Sequence, residues 1–108
     1  MAEVHEDATS ARFAPFRDDA GVCVLRVAGE VDMSNAAQLR SAVDAMLAEN
    51  PQRLVLDVRE LTFMDSSGLA VLLQAAVKIE ALILRHAQRS IVRLIETTGV
   101  TSVLQVEP

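Results

Sequence analysis

Aromatic side chains are scarce in this 108-residue sequence, which contains three Phe and neither Trp nor Tyr. Proteins that bind single-stranded nucleic acid stack the bases on aromatic rings, so this scarcity argues against such a site. The net charge of −5 argues in the same direction, because an acidic surface repels a phosphate backbone. We therefore expect no nucleic-acid partner, and we interpret Arg85, Arg89 and Arg93 as a solvated surface.

Cysteine and long apolar runs are also scarce. Cys23 is the single cysteine, which excludes an internal disulfide, and no cysteine–histidine spacing indicates a zinc site. We expect Cys23 to be a small buried side chain. The first residues, Met-Ala-Glu-Val-His-Glu-Asp, do not form an apolar signal segment, and no apolar run reaches the length of a membrane span. These absences predict a cytoplasmic protein with no metal ion and no direct membrane insertion.

Aliphatic side chains, by contrast, are abundant: hydrophobic residues make up 51% of the chain, enough for one domain with one core. Residues 1–11 are polar and lack periodicity, which predicts a flexible lead-in and leaves 12–108 as the domain. Strand-like and helix-like segments then alternate in the order β-β-α-β-α-β-α-β. This order favours an α/β fold in which about three to four helices pack on a mixed sheet of about four to five strands.

Short runs rich in Val, Leu and Ile predict the strands, and apolar residues at helical spacing predict the helices. The strands are expected at 13–16, 22–28, 54–58, 81–85 and 103–106. The apolar helix faces are Ala36, Leu39, Val43, Met46 and Leu47; Leu69, Leu72, Leu73 and Ala76; and Ile91, Leu94, Ile95 and Thr98. Pro15 favours an edge position for the first strand, and Gly29 is expected to end the second. Ser34 or Asn35 should cap the first helix, and Gly99 should end the third in the left-handed conformation.

A polar break, Asp65-Ser66-Ser67-Gly68, precedes the second helix. Ser66 would then lie at or just before the helix N-terminus, where backbone N–H groups lack partners and the helix dipole is positive. Two roles are open for Ser66 or Ser67, a capping hydroxyl and an acceptor of phosphate, and one hydroxyl could serve both. Gly68 would let another backbone approach closely.

The stretch 54–73, LVLDVRELTFMDSSGLAVLL, resembles the signature of the STAS domain family, especially of its bacterial anti-sigma-factor antagonists. Two further segments resemble the same family: 29–32 is similar to its Gly-Glu-Leu-Asp segment, and 90–99 to its last helix. Together the segments extend over about residues 21–106. The resemblance implies that the unphosphorylated protein binds an anti-sigma factor, itself a serine kinase, and so releases a sigma factor. Phosphorylation of Ser66 would switch this binding off.

The resemblance also implies residue roles. The family's phosphate acceptor directly follows the Asp, which corresponds to Ser66 here, with Ser67 as the alternative. The implied partner-binding residues are Asp32, Met64, Asp65, Ser66, Ser67, Gly68 and Leu69. From the residues alone, Met64 could equally belong to the core, and Asp32 and Asp65 could be only loop or cap residues. We expect a monomer that needs no cofactor, because the partner kinase supplies ATP-Mg, and a separate serine phosphatase that resets the switch.

Two other functions are considered. STAS domains also serve as non-catalytic subunits of larger assemblies, such as lipid-transport ATPases or stress-sensing complexes. An enzyme with a serine nucleophile is disfavoured, because the sequence has no Gly-x-Ser-x-Gly elbow and no motif around His5 or His86. One departure from the family pattern is a connection between 74 and 81 that is several residues short and lacks the usual Gly-rich turn. Either 78–80 make this connection or the second helix is one turn shorter.

Overall fold

The computed structural model describes residues 11–100 and 103–107. In these ranges the chain forms β1 (Ala11–Arg17), β2 (Cys23–Val31), α1 (Ala36–Leu47), β3 (Arg53–Asp57), β4 (Leu61–Met64), α2 (Ser66–Ala76), β5 (Ala81–Arg85), α3 (Arg89–Thr98) and β6 (Gln105–Glu107). The strands form one sheet in the order β1-β2-β3-β5-β6, with β4 paired to β2. β1 is antiparallel to β2, whereas the other pairings are parallel. The predicted α/β fold with a mixed sheet is confirmed.

β2 is long because it pairs with two strands in succession. β3 pairs with the segment 23–26 of β2, and β4 pairs with the segment 29–31 after a shift in register at Gly29. The sequence-based prediction, in which β2 ends at Gly29 and 61–64 form no strand, is therefore corrected at two points. β2 continues to Val31, and Leu61–Met64 form β4. Gly29 carries β2 through the irregularity with a φ of 97°, a conformation that a residue without a Cβ adopts at little cost. The sheet consequently has six strands in the described ranges, not four or five.

The three helices lie on one face of the sheet. Their buried side chains belong to a single core cluster together with alternate residues of the central strands, including Leu25, Leu56 and Leu84. The intervening residues Val24, Val55 and Ile83 form a second cluster, in which no helix residue takes part. Connections between parallel strands are nearly always right-handed. When such connections advance across the sheet in one direction, as from β2 to β3, β5 and β6, they place their helices on the same face. Cys23 is buried in the main core, as predicted.

The ends of several elements agree with the sequence and others shift by a few residues. Gly99 ends α3 with a φ of 74°, as predicted. α2 ends at Ala76, so the segment 77–80 makes the short connection to β5. The last strand begins at Gln105, two residues later than expected.

Ala11, which the sequence assigned to the lead-in, is buried in β1, and 1–10 lie outside the described residues. None of the helices in the described ranges is long and apolar enough to span a membrane.

Candidate functional site

β2 and β4 end side by side, which brings two acidic loops together. Val31 pairs with Met64, and the Asp65 N–H donates a hydrogen bond to the Val31 carbonyl over 3.2 Å. Asp32 and Asp65 therefore follow directly after neighbouring parallel strand ends. Two segments far apart in the sequence, 29–32 and 65–68, thus meet at the carboxyl edge of the sheet.

Asp65, and not a serine, caps α2. Its Oδ1 atom accepts a hydrogen bond from the Ser67 N–H over 2.8 Å, and its carbonyl accepts one from the Leu69 N–H over 3.2 Å. The capping role left open between Ser66 and Ser67 therefore belongs to Asp65. Ser66 is the first residue of α2 and is exposed, and its hydroxyl forms no hydrogen bond within the described part of the chain, whereas Ser67 is half-buried. The two serines thus differ in how accessible they are to another protein.

Met64, Gly68 and Leu69 support the loop from inside the domain. Met64 is 5% exposed and Leu69 is 4% exposed, so the choice between core and surface for Met64 is settled as core. A Cβ on Gly68 would lie 2.6 Å from Met64 Cγ and 2.8 Å from Val31 Cγ1, which is closer than carbon atoms pack. The glycine thus allows α2 to approach side chains of β2 and β4, and not a backbone as the sequence suggested.

A buried asparagine, which sequence analysis treated only as a possible cap, fixes the loop between β2 and α1. Asn35 is 3% exposed, and its side chain does not cap α1. Its Oδ1 atom accepts from the Asp32 N–H over 3.0 Å, and its Nδ2 atom donates to the Glu30 carbonyl over 2.9 Å. Asn35 therefore ties Asp32 to the end of β2. The one sequence signal for this role is an Asn three residues after the Asp.

Two hydrogen bonds from Ser34 favour the ionised form of Asp32. Its Oδ1 atom accepts hydrogen bonds from the Ser34 hydroxyl over 2.6 Å and from the Ser34 N–H over 2.9 Å. These two bonds, with the hydroxyl contributing most, lower the pKa of Asp32 from its ordinary value, against a smaller opposing effect of desolvation. The site therefore presents a fixed negative charge beside the Ser66 loop, next to Met33, whose side chain is 81% exposed.

The chemistry that this arrangement supports is acceptance of a group at Ser66. The hydroxyl is accessible, and α2 directs its positive N-terminal end toward it. No hydrogen bond links Ser66 to a histidine or carboxylate in the described ranges. No three His, Cys, Asp or Glu side chains in the same ranges are close enough to hold a metal ion.

Comparison with known proteins places this geometry in a family. The profile of the STAS domain matches residues 14–108. The anti-sigma-F factor antagonist RsfB of Mycobacterium tuberculosis is 40% identical over 62 residues, which are 57% of this chain and 51% of that protein. This chain therefore spans about half the length of that relative.

Two solved structures have a similar fold. A crystal structure of an anti-sigma factor antagonist from Mycobacterium paratuberculosis superposes with a TM-score of 0.84 at 29% identity, covering 92% of this chain and 86% of that one. The anti-sigma factor antagonist SpoIIAA in its unphosphorylated form superposes with a TM-score of 0.73 at 20% identity, covering 90% and 89%, a likeness of fold alone. Since the family profile extends over nearly the whole described domain, the chain belongs to the STAS domain family.

Proposed function

We propose that this protein is an anti-sigma-factor antagonist. Its unphosphorylated form binds an anti-sigma factor that is also a serine kinase, and a sigma factor is thereby released. The observation that supports this most is the exposed Ser66 at the start of α2, whose hydroxyl forms no hydrogen bond among the described residues, while Asp65 caps the helix. The function that RsfB carries in its name supports the same proposal.

Charge at the contact surface is the proposed switch. A phosphate on Ser66 adds about −1.5 to −2 charges beside Asp65 and Asp32. A partner that buries this surface must then strip water from the phosphate and bring further negative charge close to two carboxylates. A hundredfold loss of affinity corresponds to about 2.7 kcal/mol, which lies within the roughly 2–5 kcal/mol that an unpaired charge buried in an interface costs. The fold need not change, because a helix N-terminus favours an anion.

Ser66 is proposed as the acceptor ahead of Ser67 because of accessibility. Ser66 is exposed on the first turn of α2, whereas Ser67 is half-buried and its N–H is occupied by the Asp65 carboxylate. The remaining parts of the proposed cycle lie outside the protein: the kinase brings ATP-Mg, and a serine phosphatase removes the phosphate. The protein acts as a monomeric substrate and ligand in the cytoplasm, not as an enzyme.

Phosphorylation and partner capture test the proposal together. The purified protein is incubated with ATP-Mg and a lysate of its source organism, and the intact mass and modified peptides are measured beside Ser66→Ala and Ser67→Ala. Wild type and Ser66→Asp then serve as baits for partner capture. We expect one phosphate that is lost only in Ser66→Ala, and an anti-sigma factor retained by wild type but not by Ser66→Asp.

A different result has a defined meaning. If no phosphate is added and both baits retain the same stable partner, the switch is wrong. The protein would then be a non-catalytic subunit of a larger assembly, such as a lipid-transport ATPase or a stress-sensing complex.

A further inference from the structure

Three arginines that form no ion pair within residues 11–100 and 103–107 surround the N-terminus of α3. Arg89 and Arg93 are exposed and lie one turn apart on α3, and Arg59 is exposed in the loop between β3 and β4. The side-chain amide of Gln88 donates to the Arg59 carbonyl over 2.9 Å, which holds this loop against the start of α3. We call Arg59, Arg89 and Arg93 the α3 basic surface.

The charge of the α3 basic surface opposes that of the molecule, which is −5 overall. Arg12, Arg17 and Arg85 each lie within 4.0 Å of a carboxylate oxygen. Arg85, which the sequence grouped with Arg89 and Arg93, pairs with Glu107 over 2.7 Å and is half-buried. The three arginines of the α3 basic surface have no such pair in the described ranges, so their positive potential is available to another molecule.

The placement of these arginines is also unfavourable within the domain itself. Arg89 is the first residue of α3, where the helix dipole disfavours a cation, and no acidic residue occupies that first turn. Arg89 and Arg93 are like charges four residues apart, which repel each other. Glu96 also lies on α3, and it does not form an ion pair with either arginine in the described part. Charges that are unfavourable for the helix and do not stabilise the domain in another way are typical of a functional surface.

The α3 basic surface and the Ser66 loop lie at the same edge of the sheet. The Val58 N–H donates to the Arg85 carbonyl over 3.0 Å, so the ends of β3 and β5 are adjacent. β4, with four residues, separates the Arg59 loop from Asp65, which corresponds to about 13 Å at about 3.3 Å per residue. A standard interface of about 800 Å² per partner is roughly 30 Å across. A protein centred on the Ser66 loop therefore reaches the Arg59 loop, which the Gln88 hydrogen bond holds against the start of α3.

We propose that the α3 basic surface is a second contact for the protein that binds at Ser66, and that this partner presents an acidic patch opposite it. The inference rests on the proposed function and adds how the partner approaches. The acidic patch of the partner is attracted by the α3 basic surface and repelled by Asp32 and Asp65, so the two oppositely charged regions favour one orientation of docking. Charges at the rim of an interface act mainly on the association rate. The α3 basic surface thus determines the association rate of the complex, and the charge on Ser66 determines its dissociation rate.

Binding kinetics with the anti-sigma factor retained by the wild-type bait test this inference. Association and dissociation rates are measured for the full chain, for Arg89→Glu/Arg93→Glu, and for the control Arg53→Glu/Lys78→Glu. The control changes the charge equally at exposed residues of the opposite sheet edge. We expect the α3 variant to associate roughly tenfold more slowly at low salt, with little change in dissociation, while the control associates nearly as wild type. At about 300 mM salt the difference should largely disappear.

The controls separate the possible failures. Unfolding in urea should show the α3 variant about as stable as wild type, because the helix dipole favours the Arg89→Glu charge while Glu96 disfavours the Arg93→Glu charge. Equal stability excludes unfolding as the cause of slower association. Equal association rates for the α3 variant and the control would overturn the second contact, while loss of binding in Ser66→Asp would still support the switch. If Ser66→Asp binds the partner as tightly as wild type does, the switch is overturned. The association rates of the α3 variant and the control would still decide whether α3 is a contact. Binding of a double-stranded DNA oligonucleotide by wild type but not by the α3 variant would contradict a protein partner.

Discussion

At Gly68 the first turn of α2 lies so close to β2 and β4 that no side chain fits between them. The position has an ordinary helical conformation, so its need for glycine comes from packing against Met64 and Val31 and not from the backbone. Because both neighbours are buried, they have little room to move aside. The orientation of the Ser66 loop therefore depends on the absence of one methyl group.

We expect Gly68→Ala to lower the free energy of unfolding by about 1–3 kcal/mol, the usual cost of overfilling a packed core. Urea unfolding followed by circular dichroism measures this. Met64→Ala removes the nearest atoms, so Gly68→Ala should cost less in that background than in wild type. An equal cost in the two backgrounds would show that the Met64 contact is not its cause.

The role of the Asn35 side chain could not be predicted from the sequence. Its type indicated a helix cap, and the position is right, but its side chain bonds Asp32 and Glu30 instead. A short polar side chain can bond either the helix or the preceding loop, and only the path of the loop decides between them. In contrast, the Asp65–Gly68 motif placed Ser66 at the helix N-terminus correctly, because a motif of adjacent residues does not depend on distant contacts.

At the scale of elements, α2 is the helix on which the proposed switch depends. It begins at Ser66 with Asp65 as its cap and ends at Ala76, followed by Val77, which is 79% exposed. Neither terminal turn carries a charged residue that complements the dipole. A negative charge added at the N-terminal end should therefore stabilise the helix, and the same charge added at the C-terminal end should destabilise it.

We expect Ser66→Asp to leave the free energy of unfolding unchanged or to raise it by about 0.3–1 kcal/mol at low salt. Val77→Asp places the same charge at the other end of α2 and should lower the free energy by a similar amount. Urea unfolding at low and high salt measures both effects, which should shrink as salt is added. Strong destabilisation by Ser66→Asp would mean that the charge disturbs the fold, and that lost binding reflects unfolding.

Some helices and strands could be predicted from the sequence and others could not. The apolar spacing of the three helices and the Val- and Leu-rich runs of β3 and β5 predicted those elements well. β4 was missed because its four residues, Leu61–Met64, are buried only at the two ends and lack the alternation of a strand. The continuation of β2 through Gly29 was missed because it depends on pairing with β4, and the paired residues lie 32 or 33 positions apart in the sequence.

At the scale of the whole molecule, stability should be graded across the sheet. β3 and β5 lie in its centre, and their core residues Leu54, Val55 and Leu84 are fully buried. β6 lies at one edge, has three residues, and none of them is buried. Few buried contacts hold this edge, so it should open without unfolding of the domain.

Hydrogen exchange measured by NMR checks this gradient. We expect amides of β3 and β5 to exchange only through global unfolding, with a free energy equal to that from urea unfolding. Bonded amides of β6 should exchange at least roughly tenfold faster and respond little to low concentrations of urea. Equal protection in β6 and β3 would mean that the edge is part of the same cooperative unit.

The pairing of β2 also determines the shape of the carboxyl edge. β3 and β5 end level with Arg26, whereas β4 ends level with Val31, so the Ser66 loop lies about 16 Å farther along β2 at about 3.3 Å per residue. An enzyme cleft is concave, and a folded protein can place a hydroxyl inside it only from a convex part of its surface. A sheet with level strand ends would meet the rim of a cleft first. In the proposed function, a kinase or phosphatase would receive this end of β2 in its cleft while the domain stays folded, and the width of the cleft mouth would limit access to Ser66.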